Sequence, residues 1–392
     1  MHLIETYALA SGSKIGKPYI YEKFFPLPFE KYITIHPNSS CDSKNYDYWQ
    51  EVVDFLHSPL LRNGFKIIQI GKKEDKKLNL CVRVSGQTNI NQIAYLIKGS
   101  SLHLGADSFP THVASSYKKK IVCLYSNNYK EVVGPYWGDS KDHVLFQDLE
   151  GKRASFSTQE SPKTINNIKP EDVANSVLRL LDLDYRVKYK TAIRGSGYLQ
   201  RRIESIPNCV VDCGFFGIDT VIVRMDLLFC EDFLIKQLNN SNCCIITNKA
   251  INLDIIKRFK ERIKQFVYIL DESHNPSFVR ELQSSGIEYH LESKMSEEEL
   301  NAIKLYYLDY NPIIRKLGVN PKTINEIKSF GCEDMVYRSK QFLLSNGKIY
   351  QSEAALEKDL PITDLNGVFS RVIDSEIFWR DIDKFYLLKP ID

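Results

Sequence analysis

Short strand-like apolar runs alternate with helix-period segments from Tyr32 to Leu181, and this alternation limits the fold more than any other feature of the chain. Tyr32-Ile33-Thr34-Ile35 reads as a strand closed by His36-Pro37-Asn38-Ser39-Ser40, and a helical pattern over 46–61 sets Trp49, Val52, Val53 and Leu56 on one face. Strands are predicted over 65–70, 81–85, 102–104 and 121–125, with helices over 90–97 and 112–117. Such alternation builds a parallel sheet with helices on both faces. A polar stretch over 139–167 breaks the rhythm. A helix over 170–181, opened by Pro170 and Glu171-Asp172, then closes the unit near Asp184.

A second series follows, with strands predicted over 209–212, 220–223, 243–247, 266–270 and 287–291 and helices over 231–238, 253–263, 277–283 and 297–308. The expected organisation is a linker-like lead-in over 1–30, α/β domains over 31–184 and 185–310, and an irregular C-terminal extension over 311–392. Two domains are also what 392 residues imply, since one core seldom grows that large. Lys+Arg number 52 against 49 Asp+Glu, so overall charge demands no polyanionic partner. The nine cysteines have neither zinc-knuckle nor redox spacing and read as scattered thiols. No apolar run approaches the roughly 20 residues of a spanning helix, and the N-terminus lacks a secretion-signal layout, so a cytoplasmic protein is expected.

In a doubly wound sheet, ligands bind beyond the carboxyl ends of the strands. Four such turns carry polar groups: His36, Asn38, Ser39, Ser40 and then Lys44; Gly71, Lys72 and Glu74; Gly86-Gln87-Thr88-Asn89; and Gly105 through His112 with Asp107, Ser108 and Thr111. Two of the turns lead into helices, whose first N–H groups attract anions. Together they predict a site for a phosphorylated ligand.

The ordered blocks YITIHPNSS, SKNYDYWQEVVDFL, GFKIIQIG, VSGQTNINQIAYLIKGSSLHLGADSFPTHVAS, IVCLYSNNYKEVVGPYWG and IKPEDVANSVLRLL resemble the donor-binding half of heptosyltransferase-like glycosyltransferases, family nine, over about residues 30–182. The resemblance implies the GT-B architecture of two Rossmann-like doubly wound domains, here with the donor domain first. It also implies a nucleotide-diphosphate sugar as donor substrate, with no cofactor and no metal. Lys44 would contact the diphosphate, Glu74 the ribose, and Asp107, Ser108 and His112 the diphosphate and sugar, alongside Asn38, Ser39, Gly71 and Thr88. A metal-independent transferase has to stabilise the departing diphosphate with a cation and helix N–H groups, which agrees with that assignment.

Two departures stand out. Phe109 replaces the family's glycine after Asp-Ser, which either reshapes the pocket or marks a binding protein without turnover. The family's acceptor half, which supplies the catalytic aspartate, precedes the linker, whereas here the second α/β series is expected to replace it from the other side. A strand-end carboxylate would then be the general base beside Asp107. Asp212, Asp226 and Asp271 qualify by position, and Asp212 is preferred because a glycine soon follows it. Arg186, Lys188, Lys190, Arg194, Arg201 and Arg202 form a basic stretch with Tyr189 and Tyr198. This pattern suits a phosphate backbone, so Arg194, Arg201 and Arg202 are candidate acceptor contacts, and a hydroxymethylated base in DNA joins glycan as a possible acceptor.

Overall fold

Tyr32–His36 (β1) and Leu102–Ala106 (β4) are buried along their whole length, as strands at the centre of a parallel sheet are. In the computed structural model, which describes residues 1–293, 295–315, 321–329, 331–363, 365 and 369–391, the chain divides into two units, Met1–Lys190 with Ile391 and Thr191–Pro390. Both are α/β with parallel sheets, as the alternation predicts.

The first unit adds Lys66–Gln69 (β2), Val82–Arg83 (β3), Lys120–Tyr125 (β5) and His143–Gln147 (β6). Its sheet runs β3-β2-β1-β4-β5-β6 with every pair parallel. The chain order reverses between β1 and β4, which opens a crevice beyond their carboxyl ends. Helices Leu3–Ser11 (α1), Trp49–Arg62 (α2), Ile90–Gly99 (α3), Phe109–Ser116 (α4), Lys130–Val133 (α5) and Pro170–Leu180 (α6) accompany the strands. α2 packs with α6, and α3 with α4. Ile93, Leu96, Ile97 and Ala114 from α3 and α4 close one core over Ile68, Ile121 and Cys123 of the sheet. β6 lies inside the polar stretch in which no strand is predicted; it is a half-buried edge strand, so its sequence has no buried run to show.

The second unit carries Tyr189–Arg194 (β7), which starts at the boundary, then Arg202–Ser205 (β8), Thr220–Arg224 (β9), Asn242–Thr247 (β10), Ile263–Leu270 (β11), Tyr289–Ser293 (β12), Ile313–Arg315 (β13), Val336–Ser339 (β14), Gln341–Ser345 (β15), Lys348–Tyr350 (β16), Ser370–Arg371 (β17) and Phe385–Pro390 (β18). Its helices are Cys213–Phe216 (α7), Glu231–Asn240 (α8), Leu253–Arg258 (α9), Pro276–Ser285 (α10), Glu297–Ile303 (α11), Pro321–Lys328 (α12), Glu353–Glu357 (α13) and Glu376–Arg380 (α14). The large sheet is ordered β13-β12-β11-β10-β9-β8-β15-β16. Parallel neighbours in chain order, joined by right-handed crossovers, put their helices on one face. Leu234, Ile256, Val279 and Leu282 of α8, α9 and α10 accordingly share one core with Val221, Ile245, Phe266 and Leu291. This sheet is parallel from β13 through to β15, as expected, and β16 closes it antiparallel.

Two predicted boundaries move. Residues 209–212 are not a strand, and the first strand of the large sheet is β8, whose Glu204 is buried against Arg224. The segment set apart as an irregular extension belongs to the second unit. β15 pairs in parallel with β8, and β17, β14, β18 and β7 form a second, four-stranded sheet. Gly195 explains the glycine-rich Arg194-Gly195-Ser196-Gly197 turn: its N–H donates to the Phe385 carbonyl (2.9 Å), and a Cβ there would collide with the Asp383 backbone. Among the described residues no helix is long and apolar enough to cross a membrane.

Candidate functional site

The switch point of the first sheet places the end of β1 beside the end of β4, with His36 in register with Gly105. Asp107 follows β4 and is 6% exposed. Lys44 Nζ lies 2.6 Å from Asp107 Oδ2, and His112 Nε2, one turn into α4, is 3.8 Å from Oδ1. Burial alone would raise the Asp107 carboxyl, but the adjacent His112 and Lys44 outweigh it and hold it below its usual range. Asp107 therefore stays ionised and keeps the Lys44 and His112 side chains at the crevice.

Ser108 precedes α4 without capping it. Its hydroxyl is turned aside, 3.0 Å from His36 Nδ1 and donating to the Ala106 carbonyl at 3.2 Å. The start of α4 is left without a side-chain cap, and an uncapped helix start favours negative charge. Phe109 is 42% exposed, its ring edge-on to His36 with centroids 6.2 Å apart. Gly71 has φ +138°, and a Cβ there would overlap the Asp75 carboxylate. Asp75, not Glu74, organises that turn: it accepts from the Lys72 N–H at 2.7 Å, while Glu74 is exposed.

Ser39 shapes the turn after β1, donating its N–H to Asn45 Oδ1 (2.6 Å) and accepting from the Cys41 N–H (3.3 Å); Asn38 beside it is half-buried. Thr88, just before α3, is half-buried and its hydroxyl has no partner among the described residues. Sequence reasoning passed over the carboxyl end of β5. Ser126 Oγ and Asn127 Oδ1 are buried there without partners among the described residues, and the Asp107 N–H reaches the Leu124 carbonyl at 3.1 Å. It also passed over the clamp that sets Lys44. The Ser43 hydroxyl donates to the Ser157 carbonyl (2.8 Å), the Ser43 N–H to the Thr158 carbonyl (3.0 Å), and Lys163 Nζ bridges Asp42 (3.0 Å) and Asp47 (3.2 Å). The polar stretch thus folds back over the site.

Two histidines support this arrangement from below. Burial depresses His36 to about 4 and His103, whose Nδ1 is 3.0 Å from Thr34 Oγ1, to about 3. The unfolded chain takes up these protons from about pH 6.5 downward, whereas the folded chain resists until about pH 4. Stability is complete above pH ~6.5 and is lost as pH falls toward 4, at up to about 1.4 kcal/mol per pH unit for each histidine. The urea midpoint of the first unit is expected to drop between about pH 7.5 and about pH 5, and His103→Gln to reduce that slope by about half.

In the second unit, Asp226 and Asp271 follow β9 and β11 and line one cleft with Asn248 after β10. Asp212 does not line it: it is exposed and accepts from the Gly214 N–H at 2.8 Å, capping α7. Arg202 begins β8, at the opposite end of the strands from the cleft; Arg201 is exposed, and Arg194 ends β7 in the four-stranded sheet.

A crevice at an α/β switch point, with a lysine, a histidine and an uncapped helix start converging on it, is the type of site such sheets offer to phosphorylated ligands. Residues 20–165 match the family model of glycosyltransferase family 9 (heptosyltransferase), so over that span the first unit is heptosyltransferase-like. Among solved structures, the family 9 glycosyl transferase of Veillonella parvula is similar at 19% identity, covering 45% of this chain and 50% of that one, with a TM-score of 0.32. E. coli ADP-heptose LPS heptosyltransferase II is similar at 17% identity over the same shares, also with a TM-score of 0.32. The chain thus spans about half the length of these solved relatives. No curated protein matches it in sequence.

Proposed function

We propose that the protein is a glycosyltransferase that moves a sugar from a nucleotide-diphosphate sugar to an acceptor hydroxyl, with the first unit holding the donor. The observation that carries this reading is the Lys44–Asp107–His112 group at the switch point, inside the stretch that matches family 9. As the glycosidic bond to the donor breaks, negative charge grows on the departing diphosphate. Lys44, His112 and the start of α4 are placed to meet it, while Asp107 fixes the two side chains before the substrate arrives. Fixed charges of this kind need no reorganisation during the reaction.

The test is incubation with ADP-, UDP- and GDP-sugars together with truncated core glycan or hydroxymethylated DNA, following both labelled product and released nucleotide diphosphate. Transfer to glycan supports the reading. Binding of nucleotide-sugar with neither hydrolysis nor transfer to any acceptor would replace it with the second reading, a nucleotide-binding protein without turnover. Phe109 favours that second reading, since a bulky ring stands at the start of α4 where the related family has glycine. Phe109→Gly is expected to raise the affinity for nucleotide diphosphate by about tenfold, roughly 1.4 kcal/mol, by opening backbone approach to the phosphate. Isothermal titration against the parent protein measures this; an unchanged or weaker affinity would show that the ring does not obstruct the site.

A further inference from the structure

The cleft in the second unit has a volume of about 600 Å³, inside the range of about 300–1,000 Å³ usual for small-molecule pockets. It lies beyond the carboxyl ends of β9, β10, β11 and β12, the edge at which parallel sheets bind their ligands. Its wall is mixed. Ile269 and Met295 give it apolar surface, Glu272 and Glu299 add carboxylates, and Asp226, Asn248, Asp271 and Ser273 give it polar groups at the strand ends.

Those polar groups are held in place. Asp226 accepts from Arg224 Nε and Nη2, both at 2.8 Å, and its side chain is 7% exposed. Asp271 Oδ2 accepts from Asn248 Nδ2 (2.9 Å), and Oδ1 accepts from the Ser273 N–H (2.9 Å) and hydroxyl (2.7 Å). A carboxylate offers about four acceptor positions, so each aspartate keeps acceptor capacity for a ligand. Burial would raise Asp271, but its bonds from Ser273 and Asn248 prevail and keep it ionised. Among the described lining residues none is Lys or Arg, and among the described residues no three His, Cys, Asp or Glu side chains group as a metal ion requires. Such a wall repels phosphate and carboxylate ligands. Hydroxyl groups find fixed acceptors on it, and C–H faces find apolar surface.

We propose that this cleft is a binding site for a neutral saccharide, with Asp271 and Asp226 accepting hydrogen bonds from its hydroxyl groups. The assignment rests on the transferase reading only for its role, as the acceptor site; the binding itself follows from the cleft. The experiment is an array of neutral, sialylated and sulfated glycans probed with fluorescently labelled full-length protein, next to titrations with ADP, UDP and GDP. Retention is expected on a subset of neutral glycans, with a loss of at least about tenfold in Ser273→Trp, which fills the cleft, and in Asp271→Asn. Both variants are expected to keep the parent's circular dichroism and nucleotide affinity, which separates a blocked cleft from a misfolded unit. Glycan binding without nucleotide binding would uphold the cleft and refute the transferase reading. No retained glycan, a preference for anionic glycans, or unaltered glycan binding by folded Ser273→Trp would overturn the assignment.

Discussion

Lys44→Ala is expected to lower sugar transfer by about a hundred- to a thousand-fold, the usual loss when one fixed stabiliser of transition-state charge is removed. The ammonium is 2.6 Å from a buried carboxylate and belongs to a short turn tied down by Ser157 and Thr158, so it cannot drift to a compensating position. If Lys44 meets charge that is larger in the transition state than in bound donor, as the transferase reading requires, kcat should fall more than KM rises. Lys44→Arg should recover only part of the rate, since a planar fork does not replace a compact point charge. Lys163 holds the turn, so on the transferase reading Lys163→Ala should cost far less and should be largely rescued by Lys163→Arg, which can still bridge Asp42 and Asp47. Initial rates of nucleotide-diphosphate release over a range of donor concentrations measure all four variants. A Lys44→Ala protein within threefold of the parent, roughly 0.7 kcal/mol, would remove Lys44 from the mechanism.

The second large effect is on stability. Arg224→Met is expected to destabilise the second unit by about 3–5 kcal/mol, the penalty for leaving buried charge without its partner. Arg224 reaches Glu204 (2.6 Å), both oxygens of Asp226 (2.8 Å each) and Glu353 (3.3 Å), and Glu353 in turn holds Arg380 at 3.1 Å. Three carboxylates thus lose their common cation at once. The resulting drop in Tm, at roughly 2–4 °C per kcal/mol for a unit of this size, is about 6–20 °C. Differential scanning calorimetry should show the second unit's transition moving while Arg224→Lys loses less, because it keeps the charge and gives up only the fork. A shift under about 2 °C would mean that water already reaches these carboxylates.

How far the sequence reveals this protein depends on where each residue's partner lies. β1 and β4 were legible because central parallel strands are apolar throughout, and the residues beyond them were legible because a strand end and its turn are adjacent in the chain. β8 was hidden by Glu204, a charge that reads as surface until Arg224 is seen beside it. Residues 209–212 misled in the opposite way: Val210 and Val211 resemble a strand core, but Val210 is exposed and the segment only leads into the cap of α7. In the site, Lys44, Asp107 and His112 could be read from the order of the motifs. The clamp through Ser157 and Lys163 could not, because a hydrogen bond between residues more than a hundred positions apart leaves no local pattern. Nor did position alone rank the three carboxylates. Only the sheet order shows that Asp226 and Asp271 share a cleft which Asp212 does not line.

The pairing of β7 with β18, and of β8 with β15, bears on how the chain emerges during synthesis. The first unit draws its sheet from residues made before those of the second, so it can acquire its core while the second is still being translated. The second cannot. β18 sits between β14 and β7 in its sheet and ends at Pro390, so the four-stranded layer is complete only once β18 has been made. Until then β7 and β14 are open edges, and a ribosome stalled before β18 would hold a chain with a finished first unit and an unfinished, adhesive second one.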